Sequence, residues 1–78
     1  MPTIIIDGYK FRFYSSDFLE PPHVHIIRSG NVAKIWLEPV AVAHNHGYNQ
    51  PTLNKLVRLT EAHQSELLEA WDAYFNKK

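Results

Sequence analysis

Four of the five histidines fall in two His-x-His pairs, His23-Val24-His25 and His44-Asn45-His46. Imidazole exchanges protons near neutral pH and, when neutral, binds transition metals. Residues two apart on a strand point the same way, so a pair on a strand can offer two imidazoles to one ion. The chain has no cysteine, so any metal shell would be built from histidine and carboxylate: all four imidazoles, or three with Glu20. Nothing in the sequence separation brings the pairs together. The expectation is therefore no firm metal or cofactor, with weak zinc binding through His23 and His25, and with His44 and His46 as further candidate ligands. His63 stands alone on a helical stretch and reads as a surface or boundary residue.

The elements that must position these residues come next. Asp7-Gly8 lies between Thr3–Ile6 and Tyr9–Tyr14, both rich in β-branched or aromatic residues, which is a strong hairpin signal. A turn there pairs Ile6 with Tyr9 and Ile4 with Phe11. Ser15 to Pro22 reads as a loop that Phe18 and Leu19 anchor to the core. His23–Arg28 is a third strand, Ser29-Gly30-Asn31 a turn, and Val32–Leu37 a fourth strand. Beyond Pro39, Val40–Ala43 is a short edge strand, and His44–Gln50 a polar loop. From Pro51 the apolar period changes to about 3.6: Leu53, Leu56, Val57, Thr60, Leu67, Leu68, Trp71, Tyr74 and Phe75 share one side. Asn49 or Gln50 can cap this helix, Pro51 suits its first turn, and Lys77 and Lys78 suit the negative end of its dipole. The pattern gives one helix from about 52 to 75, with a kink near His63 as the alternative. The fold class is α+β: a small antiparallel sheet of four to five strands packed against one long C-terminal helix, straight or kinked, in a single domain over 1–78.

Alternation sorts the sheet into two faces. Phe11, Phe13, Val24, Ile26, Ile35 and Leu37 face the helix. Lys10, Arg12, Tyr14, His23, His25, Lys34 and Trp36 face away, with His25 across from Lys34 and His23 across from Trp36. Pro21-Pro22 stiffens the approach to the third strand by fixing backbone angles. This outer face supports three readings. It can be a solvated surface; it can be a partner-binding surface through Arg12, Tyr14, His23, His25, Lys34 and Trp36, since Trp, Tyr and Arg are enriched at binding hot spots; or it can be catalytic, with His23, His25 and Lys34 as candidates. Whether the chain is an enzyme stays open.

The totals narrow the classes. Seventy-eight residues make one domain, and a chain this short builds only a thin core, which makes a homodimer one expectation. Eight basic residues balance eight acidic ones, and a neutral chain lacks the basic excess usual in nucleic-acid binders. The aliphatic runs, such as Ile4–Ile6 and Val40–Ala43, are far too short for a membrane span. Met1-Pro2-Thr3 begins no secretory signal, so a cytoplasmic location is expected.

Several segments together are also familiar: Glu20-Pro21-Pro22-His23-Val24-His25, Ala33-Lys34-Ile35-Trp36-Leu37, and Leu67-Leu68-Glu69-Ala70-Trp71 with Tyr74-Phe75. With Met1-Pro2-Thr3-Ile4 and Phe13-Tyr14-Ser15, they resemble a family of small prokaryotic proteins known as domain of unknown function 4160. The likeness spans essentially the whole chain, and Pro-Pro-His-Val-His is its most specific part. The resemblance implies a bacterial protein, commonly encoded beside another small domain of unknown function (2442), and hence one half of a toxin–antitoxin-like pair. His23 and His25 match the family motif. His44 and His46 depart from it, since Asn and Gly are more usual there, which argues against a shared four-histidine metal site.

The leading expectation is an interaction module that binds a protein partner, encoded by the adjacent gene, through the outer face around His23-Val24-His25. One alternative is a small ribonuclease-type toxin acting on RNA, in which His23 and His25 exchange protons while Lys34 and Arg12 hold a phosphate. The other is a metal-binding protein.

Overall fold

The computed structural model describes residues 3–14 and 19–75. Its first turn is the one the Asp-Gly pair requires: Asp7 and Gly8 both take positive φ, 53° and 82°, as a type I′ turn demands. That turn joins β1 (Thr3–Ile6) to β2 (Tyr9–Arg12), with Ile6 opposite Tyr9 and Ile4 opposite Phe11. Ser29 and Gly30 repeat the device at φ 52° and 81° between β3 (His23–Arg28) and β4 (Asn31–Leu37). The register puts His25 opposite Lys34 and His23 opposite Trp36, as the two-residue loop dictates. A turn at Glu38-Pro39 leads into β5 (Val40–His46), and the five strands form one antiparallel meander in sequence order.

The fifth strand corrects the sequence reading. It runs through His46 rather than ending at Ala43, and a register shift beside Lys34 and Ile35 leaves Ala43 as the extra residue: Ile35 faces Val42 and Lys34 faces His44. Such a bulge restores the inward–outward phase after one added residue. The chain leaves the sheet at Gly47, whose φ of +105° and contact with the Asn31 side chain leave no room for a Cβ. The Asn45 side chain closes the turn, donating to the Tyr48 carbonyl at 2.9 Å and accepting from the Tyr48 amide at 3.2 Å.

Asn49 caps the first helix, accepting from the Thr52 amide at 2.9 Å, and Pro51 sits in its first turn. There are two helices, α1 (Gln50–Ala62) and α2 (Gln64–Phe75), not one continuous helix, and they part where the alternative reading placed a kink. The break is at His63, at φ −111° and ψ 18°. Gln64 exploits it, donating from Nε2 to the Leu37 carbonyl at 2.6 Å and pinning the start of α2 to the end of β4. The Leu67 amide still bonds the His63 carbonyl at 2.9 Å, so the helical ladder resumes directly after the break.

The inner face is buried as alternation predicts: Phe11, Phe13, Val24, Ile26, Ile35 and Leu37 are each at most 1% exposed. Leu53, Leu56, Leu67 and Trp71 close over them from the helices. Thr60 joins them, its hydroxyl satisfied by the Leu56 carbonyl at 2.8 Å. Tyr48 enters the same core, stacking edge-on to Tyr9 and donating its hydroxyl to the Ile26 carbonyl at 3.1 Å. Burial, reinforced by Tyr9, raises its pKa above the ordinary tyrosine value. Outside, Lys55 pairs with Asp7 at 2.7 Å, which lowers the Asp7 pKa and raises that of Lys55. Leu19 does not anchor the loop to the core; it is 81% exposed. Phe18, Lys77 and Lys78 lie outside the described residues.

Trp71 ties α2 to the end of the sheet, meeting Phe13 edge-on at 5.6 Å and Phe75 at 4.2 Å between ring centroids. Truncating a buried aromatic of this kind costs about 3–5 kcal/mol, a large share of a small domain's stability. Trp71→Ala should therefore lower the urea midpoint sharply, while Ala73→Ser on the exposed side of α2 should leave it nearly unchanged. A Trp71→Ala midpoint equal to wild type would mean that α2 does not dock this way.

Candidate functional site: the outer face of the sheet

Successive register pairs build the site one strand at a time. Arg12 lies opposite His25, His25 opposite Lys34, and Lys34 opposite His44. Directly opposed residues project to the same side of a sheet, so these four form one transverse row across β2, β3, β4 and β5. Three inter-strand steps of about 4.8 Å give the row a length of roughly 14 Å. Flanking it on one side are His23, Trp36 and Ala41, and on the other Lys10, Ile27, Val32 and His46. Helix α2 reaches this side at His23, through Trp71.

The row is cationic and aromatic, with little acid. The Lys34 ammonium lies 4.8 Å from the Trp36 ring centroid and the Arg12 guanidinium 5.8 Å from that of Tyr14. Tyr14 in turn meets His25 edge-on at 4.7 Å. Glu20, at the rim, forms an ion pair with Lys34. Arg12, Lys10, His44 and His46 have no carboxylate partner among the described residues.

His23 departs from the expectation for its face. Register sets it on the outer side, yet it is 1% exposed, because the Trp71, Trp36 and His25 rings stand 5.4, 5.5 and 5.1 Å from its own. Its Nδ1 donates to the Pro21 carbonyl at 3.0 Å, and the Pro22 carbonyl accepts from the Leu37 amide at 3.0 Å. The Pro-Pro-His segment therefore forms a hydrogen-bonded corner at the mouth of β3, and His23 is the pin that joins this corner to α2. His25, half-buried beside it, keeps a surface toward solvent. The two imidazoles of the motif thus do different jobs.

The second pair lies elsewhere than in a loop. His44 and His46 are exposed on the outer side of β5, with Lys34 between His44 and His25. The sequence concealed this because a polar His-Asn-His run looks like loop, and because the bulge at Ala43 shifts the phase; the turn signal that bounds the strand is Gly47. Among the described residues no group of three histidines or carboxylates is placed to hold a metal. His63 is half-buried, its Nδ1 3.2 Å from Glu66.

A cleft that the sequence reading did not foresee opens at the far end of the sheet. It holds about 230 Å³, between the Ser29-Gly30 turn and the start of α1. Arg28 lies over the Tyr9 ring at 4.9 Å there, and Tyr48, Asn31 and Thr52 complete its walls. It shares no lining residue with the row.

Fold and site together define a small α+β protein whose sheet is covered on one face and carries the polar row on the other. Residues 8–72 match the domain of unknown function DUF4160, and the chain belongs to that family. No curated protein and no solved structure matches it. Among the described residues, no helix is long and apolar enough to cross a membrane.

The separation of the histidine pairs makes a definite expectation for metal. Two imidazoles leave a tetrahedral shell half open, and Lys34 stands where the second pair would have to join. Calorimetric titration of chelator-treated protein with zinc should give only weak, sub-stoichiometric heats that fade as the pH falls and the imidazoles protonate. A stoichiometric, sub-micromolar site lost in both His25→Ala and His44→Ala would overturn this placement.

Proposed function

We propose that this protein is a non-enzymatic interaction module whose binding surface is the outer face of the sheet, and that it forms one half of a two-protein bacterial system. The observation that carries the reading is the assembly of Arg12, His25, Lys34 and Trp36 on the face opposite the buried core, which α2 reaches at His23 through Trp71. Trp and Arg are the side chains that most often dominate binding energy when a partner desolvates them. Large exposed apolar side chains add to this: Ile5, opposite Lys10 on the same face, is 68% exposed. The genomic habit implied by the family resemblance, a small neighbouring gene, supplies the candidate partner and the toxin–antitoxin reading.

The acid–base alternative asks His23 and His25 to touch the same substrate. His23 is 1% exposed and pinned to Pro21, so this observation favours binding over catalysis by the pair. A ribonuclease reading would have to run on His25, Lys34 and Arg12 without it.

Co-expression with the product of the adjacent gene tests the proposal. Wild type should co-purify with that product, and Trp36→Ala and Arg12→Ala should each lose at least about 1 kcal/mol of binding, the usual threshold for a residue that matters at an interface. Both variants should remain folded, since neither side chain belongs to the buried core. No complex with wild type, or undiminished binding by both variants, would contradict the reading.

A further inference from the structure

Resting on that reading, we infer that the occupant of the outer face is an extended, acidic segment of a protein, whose carboxylates lie along the Arg12–His25–Lys34–His44 row. The argument is charge complementarity on a polarised molecule. The chain is neutral in total, but its charges are sorted. Among the described residues the outer face carries Lys10, Arg12 and Lys34, with Glu20 as the acid at its rim. Helix α2 carries Glu66, Glu69 and Asp72 and no basic residue. A neutral total therefore conceals one cationic face.

The chemistry of the row selects the ligand. Arginine, lysine and imidazole N–H groups donate to carboxylates, and charged donor–acceptor pairs are the stronger ones. Side chains two apart on an extended segment point the same way, so alternating acids turn all their carboxylates toward one surface. The side chains between them point away from the face, so recognition rests on the carboxylates. A cationic strip of roughly 14 Å matches a short acidic segment. A long polyanion such as RNA would run past it, in a chain with no overall basic excess to draw it in.

Chemical-shift mapping with isotope-labelled protein and three probes tests the inference: a blocked peptide of alternating Glu and Val, its Gln–Val counterpart, and oligouridylate. The Glu–Val peptide should shift the amides of Arg12, His25, Lys34 and His44 and bind about tenfold tighter than Gln–Val, as a few exposed ion pairs allow. Its affinity should fall with added salt and in Arg12→Gln. It should be unchanged in Lys55→Gln, which lies off this face and pairs with Asp7. If Gln–Val binds the same row equally well, the face is a docking surface but the acidic occupant is wrong. If oligouridylate binds the row more tightly than Glu–Val, the occupant is a phosphodiester chain and the inference falls. If no probe perturbs this face, the inference falls; the reading beneath it then stands or falls by the co-purification.

Discussion

The register of β3 between its two neighbours is the constraint on which the other features depend. It is set on the β4 side by the tight Ser29-Gly30 turn, whose two residues both take positive φ, and on the β2 side by the inner-face alternation that puts Phe11 opposite Ile26. A two-residue turn of this type matches the right-handed twist of its strands and allows one register. A slip of one residue would send every side chain to the opposite face, placing Val24 and Ile26 in water and His25 in the core. Because β3 pairs with β2 on one edge and β4 on the other, both pairings must agree. When they do, the helix-covered face and the exposed row follow together.

The fold was legible where local chemistry leaves one choice. The Asp-Gly turn, the β2–β3–β4 alternation and the Asn49-Pro51 helix start each have a short-range physical cause, and each appears as expected. The row's members on β2, β3 and β4 were therefore legible too. The failures share a different cause, since each depends on contacts distant in sequence. The bulge at Ala43 is visible only once Lys34 and Ile35 are known to face β5. The helix break at His63, legible only as an alternative kink, has no Gly or Pro to fix it and is held by Gln64 reaching the Leu37 carbonyl, 27 residues away. The burial of His23 depends on Trp71, from the far end of the chain.

This last contact reframes the motif. Pro-Pro-His-Val-His suggests two equivalent imidazoles offered by a stiff strand. In the structure Val24 belongs to the core, His23 fastens the Pro21-Pro22 corner and packs against α2, and only His25 joins the row. The motif is mostly architecture, and the architecture orients one imidazole between Arg12 and Lys34. A face positioned in this way is pre-organised, which lowers the ordering cost of binding a partner.

The central claim is that a single register places Arg12, His25, Lys34 and His44 in one line across four strands. Cross-strand proton–proton contacts measured by NMR test it most directly. The structure requires close backbone contacts between Arg12 and His25, between His25 and Lys34, and between Lys34 and His44. Contacts one residue out of step, such as His25 opposite Ala33 or Lys34 opposite Ala43, would break the line and contradict the account.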